Sequence, residues 1–310
     1  MTAPKCSEQE FIDLFKTLGA KRTAERLGTT ERNVYTRRRN IEERLGAMLT
    51  APSNAAPDYP ARATLDVENG VALVGSDAHY WPGIVTTAHR AFVRACKEMK
   101  PVAVIMNGDM LDGASISRHP PIGWEDRPTV AQEIETCQER LGEIMFAAGK
   151  AHRFWPLGNH DARLSTRIAT VAPELAKVAG VQLKDHFPDW QPCWSVWIND
   201  NVVVKHRGAG GLHATHNNTL KAGLSMVTGH LHSLKVTPWS DYTGTRYGVD
   251  TGTMAEPFGP QFENYMEDGS RNWRSGFAVL TFHKGRLLWP EVVHVMGGNE
   301  VEFRGKVWNV

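Results

Sequence analysis

Apolar residues in the first 45 positions recur at helical spacing. Phe11, Leu14, Phe15 and Leu18 mark one face of a helix from Glu8 to Leu18, with Ser7 as its N-cap and Gly19 as its stop. A second helix covers Ala20–Leu27 and ends at Gly28, and Thr30 caps a third running from Glu31 to Leu45. From Gly46 to Ala63 the period disappears and the chain turns rich in Ala, Pro and Asn, the composition of a linker. These boundaries predict a small three-helix module over 1–46, a linker over 47–64 and a larger domain over 65–310.

Beyond the linker the period changes. Val71–Val74 is a short buried-strand run after Asn69-Gly70, a pair suited to a hairpin turn. Helical patterning over Thr86–Met99 precedes a second apolar run, Val102–Met106; a long helix fills Thr129–Ala148 and a strand follows at Arg153–Leu157. After helical sequence around Leu164–Ala179, strands dominate: Trp194–Ile198, Val202–Lys205, Met226–Thr228, then Phe277–Phe282 and Arg286–Val295 around a Lys284-Gly285 turn. Strands with helical crossovers, then antiparallel strands, predict an α/β fold layered as an αββα sandwich.

Composition narrows the classes. With 41% hydrophobic and 22% charged residues the 310-residue chain reads as globular, and no stretch approaches the roughly 18 uninterrupted apolar residues a membrane span needs. The N-terminus has no secretory pattern, and Cys6, Cys96, Cys137 and Cys193 form no paired framework, so a reducing, cytoplasmic setting is expected. The net charge of +1 excludes nothing, but residues 1–50 hold ten Lys/Arg against seven Asp/Glu.

Five apolar runs end in residues of one chemical kind. They lead into Asp77-Ala-His79, Gly108-Asp109, Gly158-Asn159-His160-Asp161, His206 and Gly229-His230-Leu-His232. In extended chain, residues two apart project to one side, so Asp77 pairs with His79 and His230 with His232. Polar groups at the ends of buried strands converge on one sheet edge, and the glycines at 75, 108, 158 and 229 give the backbone room to turn there. Two carboxylates, one carboxamide and four imidazoles suffice for two divalent cations, with manganese, iron or zinc better suited than calcium or magnesium.

In content and order these motifs, over residues 70–235, resemble the calcineurin-like metallophosphoesterases. The resemblance implies a four-layer αββα metallophosphoesterase sandwich. It makes Asp77, His79 and His232 ligands of one metal, Asn159, His206 and His230 ligands of the other, and Asp109 the bridge. His160 becomes the acid that protonates the leaving oxygen, with Asp161 orienting it, while a water activated between two cations attacks the phosphorus. The fourth motif departs, reading His206-Arg-Gly208, with His213 and His216 as competitors; His206 is preferred because it ends the Val202–Val204 run. Asp161 in place of Glu, and Asp112-Gly113 in place of Arg-Gly, turn the resemblance from protein phosphatases toward nuclease and phosphodiesterase branches, phage enzymes included. Asp112 reads equally as a partner of the site or as turn chemistry. For His89, His119, His152, His186, His283 and His294, surface or satisfied core positions are expected.

Ala24, Gly28 and Val34 occupy relative positions 5, 9 and 15 of a segment beginning at Ala20, where a helix-turn-helix needs a small residue, a turn-former and a buried β-branched residue. The segment resembles the helix-turn-helix modules of recombinases and regulators, which makes Arg32, Asn33, Thr36, Arg37 and Arg39 candidates for DNA contacts, alongside Tyr35 and Arg38. The combined expectation is a dimanganese phosphodiesterase acting on DNA as a nuclease in the cytoplasm (a host's, if phage-encoded), with homodimerisation open. Its rivals are a phosphomonoesterase or cyclic-nucleotide phosphodiesterase with an incidental module, and a DNA-binding regulator whose phosphoesterase-like domain is inactive.

Overall fold

The computed structural model describes residues 6–49, 59–176, 178–266, 269 and 272–310, and the chain divides into two compact units, Met1–Tyr59 and Pro60–Val310. Part of the expected linker, residues 50–58, lies outside the described residues.

In the N-terminal unit, α1 (Glu8–Leu27) begins with a capping box between Ser7 and Glu10. Gly19, at φ 72 and ψ 177, breaks α1 into the two expected segments, because only glycine holds that backbone cheaply. Gly28 ends it in the left-handed conformation, and the Thr30 side chain caps α2 (Glu31–Leu45). Phe11, Phe15, Ala20, Ala24, Val34 and Ile41 are buried together with Ile12 and Leu49 as the unit's own core.

The larger unit is built on two mixed sheets. The first has the order β1 (Ala63–Leu65), β6 (Val196–Ile198), β7 (Val202–Val204), β8 (Ser225–Thr228), β10 (Gly244–Asp250), β9 (Lys235–Asp241). The second runs β15 (Lys306–Asn309), β14 (Glu300–Phe303), β13 (Glu291–Gly297), β11 (Gly276–His283), β2 (Gly70–Gly75), β3 (Ala103–Met106), β4 (His152–Pro156), β5 (Gln191–Cys193), with β12 (Arg286–Leu287) beside β11. Strands β2 to β5 are parallel; β3 and the C-terminal parts of β2 and β4 are buried on both faces, which is why those stretches read as apolar runs. Alternate residues of β2, β3 and β11 (Ala72, Val74, Ala103, Ile105, Ala278, Leu280) pack against Val196, Ile198, Val202, Val204 and Val227 of the other sheet. The opposite face of the second sheet meets α3 (Thr87–Met99), where Phe92 stacks edge-on against Phe277, and α4 (Val130–Ala148) packs beside α3. On the first sheet α6 (Ala214–Ala222) covers β8, β9 and β10. The layers are therefore α, β, β, α.

Two expectations are corrected. Ala63 and Thr64, assigned to the linker, join Leu65 in β1, which pairs in parallel with β6. Asn69-Gly70 is no hairpin turn, because β1 and β2 belong to different sheets; the pair carries the chain across the sandwich. The Lys284-Gly285 turn does close a two-residue hairpin, with both residues at positive φ and Phe282 paired to Leu287. Residues 236–310, expected to complete the sheet and shape the substrate groove, supply nearly all of β9 and the whole of β10 to β15, and thus one edge of each sheet.

Phe15 is fully buried in a core of eight residues, so Phe15→Ala is expected to remove about 3–5 kcal/mol. That approaches the whole stability of a unit this small. Limited proteolysis should then cut within residues 8–45 at protease concentrations that leave the wild type intact; an unchanged cleavage pattern would contradict the assigned core.

Candidate metal centre

The five motifs follow the C-terminal ends of five strands: β2, β3 and β4 in one sheet, β7 and β8 in the other. Since β2, β3 and β4 are mutually parallel, as are β7 and β8, each group delivers its residues to one sheet edge. Past those ends the ladders give way to hydrogen bonds between motif loops. Asp77 N–H donates to the Gly108 carbonyl at 2.8 Å, His79 N–H to Asp109 at 3.0 Å, and Gly229 N–H to His206 at 3.0 Å. The His230 N–H donates to the Asp77 carboxylate at 2.8 Å, linking the sheets directly.

The loops are folded against their own preference. Asp77, His79, Asp109, His230 and His232 all have positive φ, between 40° and 73°. Each such residue costs of order 1–3 kcal/mol unless its surroundings hold it, and such residues gather at functional sites. Glycines make the interlock possible: a Cβ on Gly158 would strike the Asp109 carboxylate, one on Gly108 the His206 ring, and one on Gly229 the Asp77 carboxylate.

Every sequence-predicted ligand reaches this edge. His232 Nε2 lies 3.0 Å from Asp77 Oδ1, and His206 Nε2 lies 3.0 Å from Asp109 Oδ2 and 3.9 Å from Asp77 Oδ1. Three groups have ligand atoms within 4.8 Å of one another: Asp77, His79 and His232; Asp109, His206 and His230; and His79, Asp109 and His160. Among the described residues, the Asn159 side-chain oxygen is buried without a hydrogen-bond partner. An orphaned acceptor in a cluster of buried carboxylates and imidazoles fits a site for divalent cations and is costly otherwise. His206 is the histidine that joins the cluster; His213 sits at the start of α6 and His216 packs on Trp239.

The electrostatics agree. Burial opposes ionisation of Asp77, yet the imidazoles of His232 and His206 outweigh it and hold the carboxyl at about 2. Asp109 is likewise held far below its usual range against burial, chiefly by His206. Burial disfavours the charged His206 ring, but Asp109 and Asp77 raise it to about 10. A field that draws protons onto a buried imidazole draws cations equally.

The role expected of Asp161 is corrected. Its buried carboxylate does not meet the His160 ring; it accepts N–H bonds from Asp109 (2.8 Å), Met110 (3.0 Å) and Gly158 (2.9 Å) and from the Trp155 indole (3.0 Å). Asp161 is the tie that shapes the Asp109 loop. The partner of His160 is Asp112: His160 Nδ1 lies 2.8 Å from the Asp112 carbonyl and 3.1 Å from its carboxylate, whose Oδ1 also bonds His79 Nδ1 at 2.9 Å. Arg163 completes the arrangement, donating to the Asp112 carbonyl at 2.8 Å and lying 3.3 Å from His160 Nε2. Burial works against the charged His160 ring, but the Asp112 hydrogen bond raises its pKa above the ordinary value. His89 is a satisfied core histidine, bonded to Tyr80 and Glu143.

A cavity of about 900 Å³ opens over the cluster, with His79, Asp109, Asn159, His160, His230 and His232 in its lining. Phe262 and Trp273 close one side: Phe262 packs edge-on to His79 at 5.0 Å and Trp273 to His232 at 4.5 Å. Nothing in the sequence around residues 260–273 marked that wall. His119, read as surface, is exposed and also lines the cavity.

In the N-terminal unit Arg32, Asn33, Thr36 and Arg39 are exposed on α2. Arg37 departs from its expected role: half-buried, it donates to the Cys6 and Ser7 carbonyls and lies over the Phe11 ring, so it staples the unit's own fold.

No family model matches the chain. Among curated proteins, the Gene 54 protein of Mycobacterium phage L5 is 25% identical over 241 residues, covering 71% of this chain and 92% of the relative. The Gene 54 protein of Mycobacterium phage D29 is 26% identical over 248 residues, with the same shares. A solved protein serine/threonine phosphatase from Saccharomyces cerevisiae aligns over 77% of this chain and 85% of its own at 11% identity, with a TM-score of 0.38, too loose to carry any argument about activity.

Proposed function

We propose that this protein is a metal-dependent phosphodiesterase that hydrolyses DNA, and that its N-terminal unit, read as a helix-turn-helix, brings the catalytic unit to its substrate. One observation carries the enzymatic part: ligand atoms of Asp77, His79 and His232, and those of Asp109, His206 and His230, gather within 4.8 Å of one another in two groups, with His232 Nε2 3.0 Å from Asp77 and His206 Nε2 3.0 Å from Asp109. In this reading Asp77, His79 and His232 would hold one cation, Asn159, His206 and His230 a second, with Asp109 available to both. Two divalent ions held there would supply Lewis-acid activation of a nucleophilic water and of the phosphoryl oxygens.

The rest of the chemistry belongs to the chain. His160 presents Nε2 to the cavity while Asp112 holds Nδ1, so the ring is oriented to protonate the departing alkoxide. Arg163, 3.3 Å from that nitrogen, is placed to bind a non-bridging phosphate oxygen. The exposed Arg32, Asn33, Thr36 and Arg39 of α2 support DNA contact by the N-terminal unit. Among the described residues no helix is long and apolar enough to cross a membrane. The phage source of the two relatives supports a phage-encoded enzyme working in host cytoplasm.

With Mn²⁺, the protein should hydrolyse a phosphodiester dye and linear DNA, and chelator should abolish both; hydrolysis of a phosphomonoester dye alone would overturn the diesterase reading. His160→Gln should lower kcat by about 10²–10⁴-fold while metal content, measured by plasma mass spectrometry, stays at the wild-type level. Asp112→Asn should lower it by about 10–100-fold. Gly158→Ala should instead lose bound metal, because its methyl displaces the Asp109 carboxylate; full metal occupancy in that variant would refute the ligand assignment. Deleting residues 1–59 should weaken duplex binding with reduced salt dependence and leave dye hydrolysis in place.

A further inference from the structure

The lining of the cavity over the metal cluster holds two chemically different sets of side chains. Helix α5 (Arg163–Val171) turns Arg163, Thr166, Arg167 and Thr170 into it, residues at i, i+3, i+4 and i+7 that share one helical face. That face runs for about 10 Å away from His160. α5 carries no buried residue, so its hydroxyls and guanidinium groups are presented to the cavity and to solvent. The 3-10 turn at Ala114–Ile116 packs beside α5, and the segment after it contributes Arg118. Arg127 is neutralised by Glu125, and Arg163 is engaged with Asp112. Arg118, Arg167 and Arg207 have no acidic partner among the described residues, against one unpaired acid of the outer lining, Asp126. The lining also holds three large aromatic side chains, Trp81, Phe262 and Trp273, the last two in edge-on contact with each other.

Unpaired cations and aromatic rings lining one cavity match a chain of phosphates carrying planar groups. We infer that the cavity receives one single strand of nucleic acid, its phosphates following α5 and Arg118 and a base lying against Trp81 or Trp273. A duplex keeps its base faces inside its own stack and offers them to neither ring. The inference rests on the phosphodiesterase reading and narrows it: the strand beyond the scissile phosphate is gripped by Arg118 and Arg167, and a small dye ester is too short to reach them.

Two measurements on the full chain separate this inference from the reading beneath it. In chelator, fluorescence anisotropy should show the double variant R118Q/R167Q weakening binding of a labelled oligothymidylate by at least about tenfold and lowering its salt slope by about 1.4, two phosphate contacts at 0.7 each, while a duplex of equal length, held by the N-terminal unit, keeps its affinity. With Mn²⁺, kcat/KM should rise with oligonucleotide length before levelling, and the oligonucleotide-to-dye ratio of kcat/KM should fall by at least tenfold in the variant. A variant that weakens duplex as much as single strand, or whose affinity and ratio match wild type, overturns the inference. Absence of hydrolysis under any metal overturns the phosphodiesterase reading instead, and the anisotropy data still decide the strand preference.

Discussion

Asp77 and Asp109 are both inaccessible to solvent and both ionised, and much of the surrounding architecture answers their mutual repulsion. A buried carboxylate is tolerated only when positive charge or donated hydrogen bonds replace its lost hydration. Here the compensation arrives from two directions. Imidazoles descend from the ends of β7 and β8, and backbone N–H groups of neighbouring loops point inward, as at His230 and His160. Bringing those donors to one place requires two parallel sheet edges to meet in register, which the sandwich of Val and Ala side chains between them secures.

The cost appears in the backbone. Five of the seven clustered positions lie in the left-handed region, a conformation uncommon outside glycine that Asp and His adopt more readily than most side chains. What holds them is a mesh in which every motif bonds to another: Asp77 to the Gly108 carbonyl, His79 to Asp109, Gly229 to His206. Asp161 belongs to the same mesh, since one carboxylate gathers the N–H groups of Asp109, Met110 and Gly158. Removing any single loop therefore leaves its neighbours' donors and acceptors without partners.

The cluster of acids and histidines was legible in the sequence because each member lies within a few residues of an apolar run, a local signal. Strand ends imply an edge, and the edge implies convergence. The roles of Asp161 and Asp112 were not legible in the same way. Both are acids beside a histidine or a turn glycine, and which ring or N–H each meets depends on how β3 and β4 align, a tertiary fact. The aromatic wall of Phe262 and Trp273 carries no motif, as any core-forming segment contains such residues. Ala63 and Thr64 looked like linker because a three-residue edge strand is too short for a period to register. Arg37 illustrates the converse: a basic helix face suggested partners outside the unit, while the Cys6 and Ser7 carbonyls and the Phe11 ring engage the side chain within it.

The division of ligands between the two sheets has a mechanical side. Asp77, His79, Asp109 and Asn159 hang from one leaf of the sandwich, and His206, His230 and His232 from the other. Anything gripped by both sets acts as a rivet at the open rim of the two leaves. Occupancy and rigidity then become a single variable: an ion at a hundredfold excess over its dissociation constant adds about 2.7 kcal/mol to the folded state, and that gain is concentrated at the rim where the chemistry takes place.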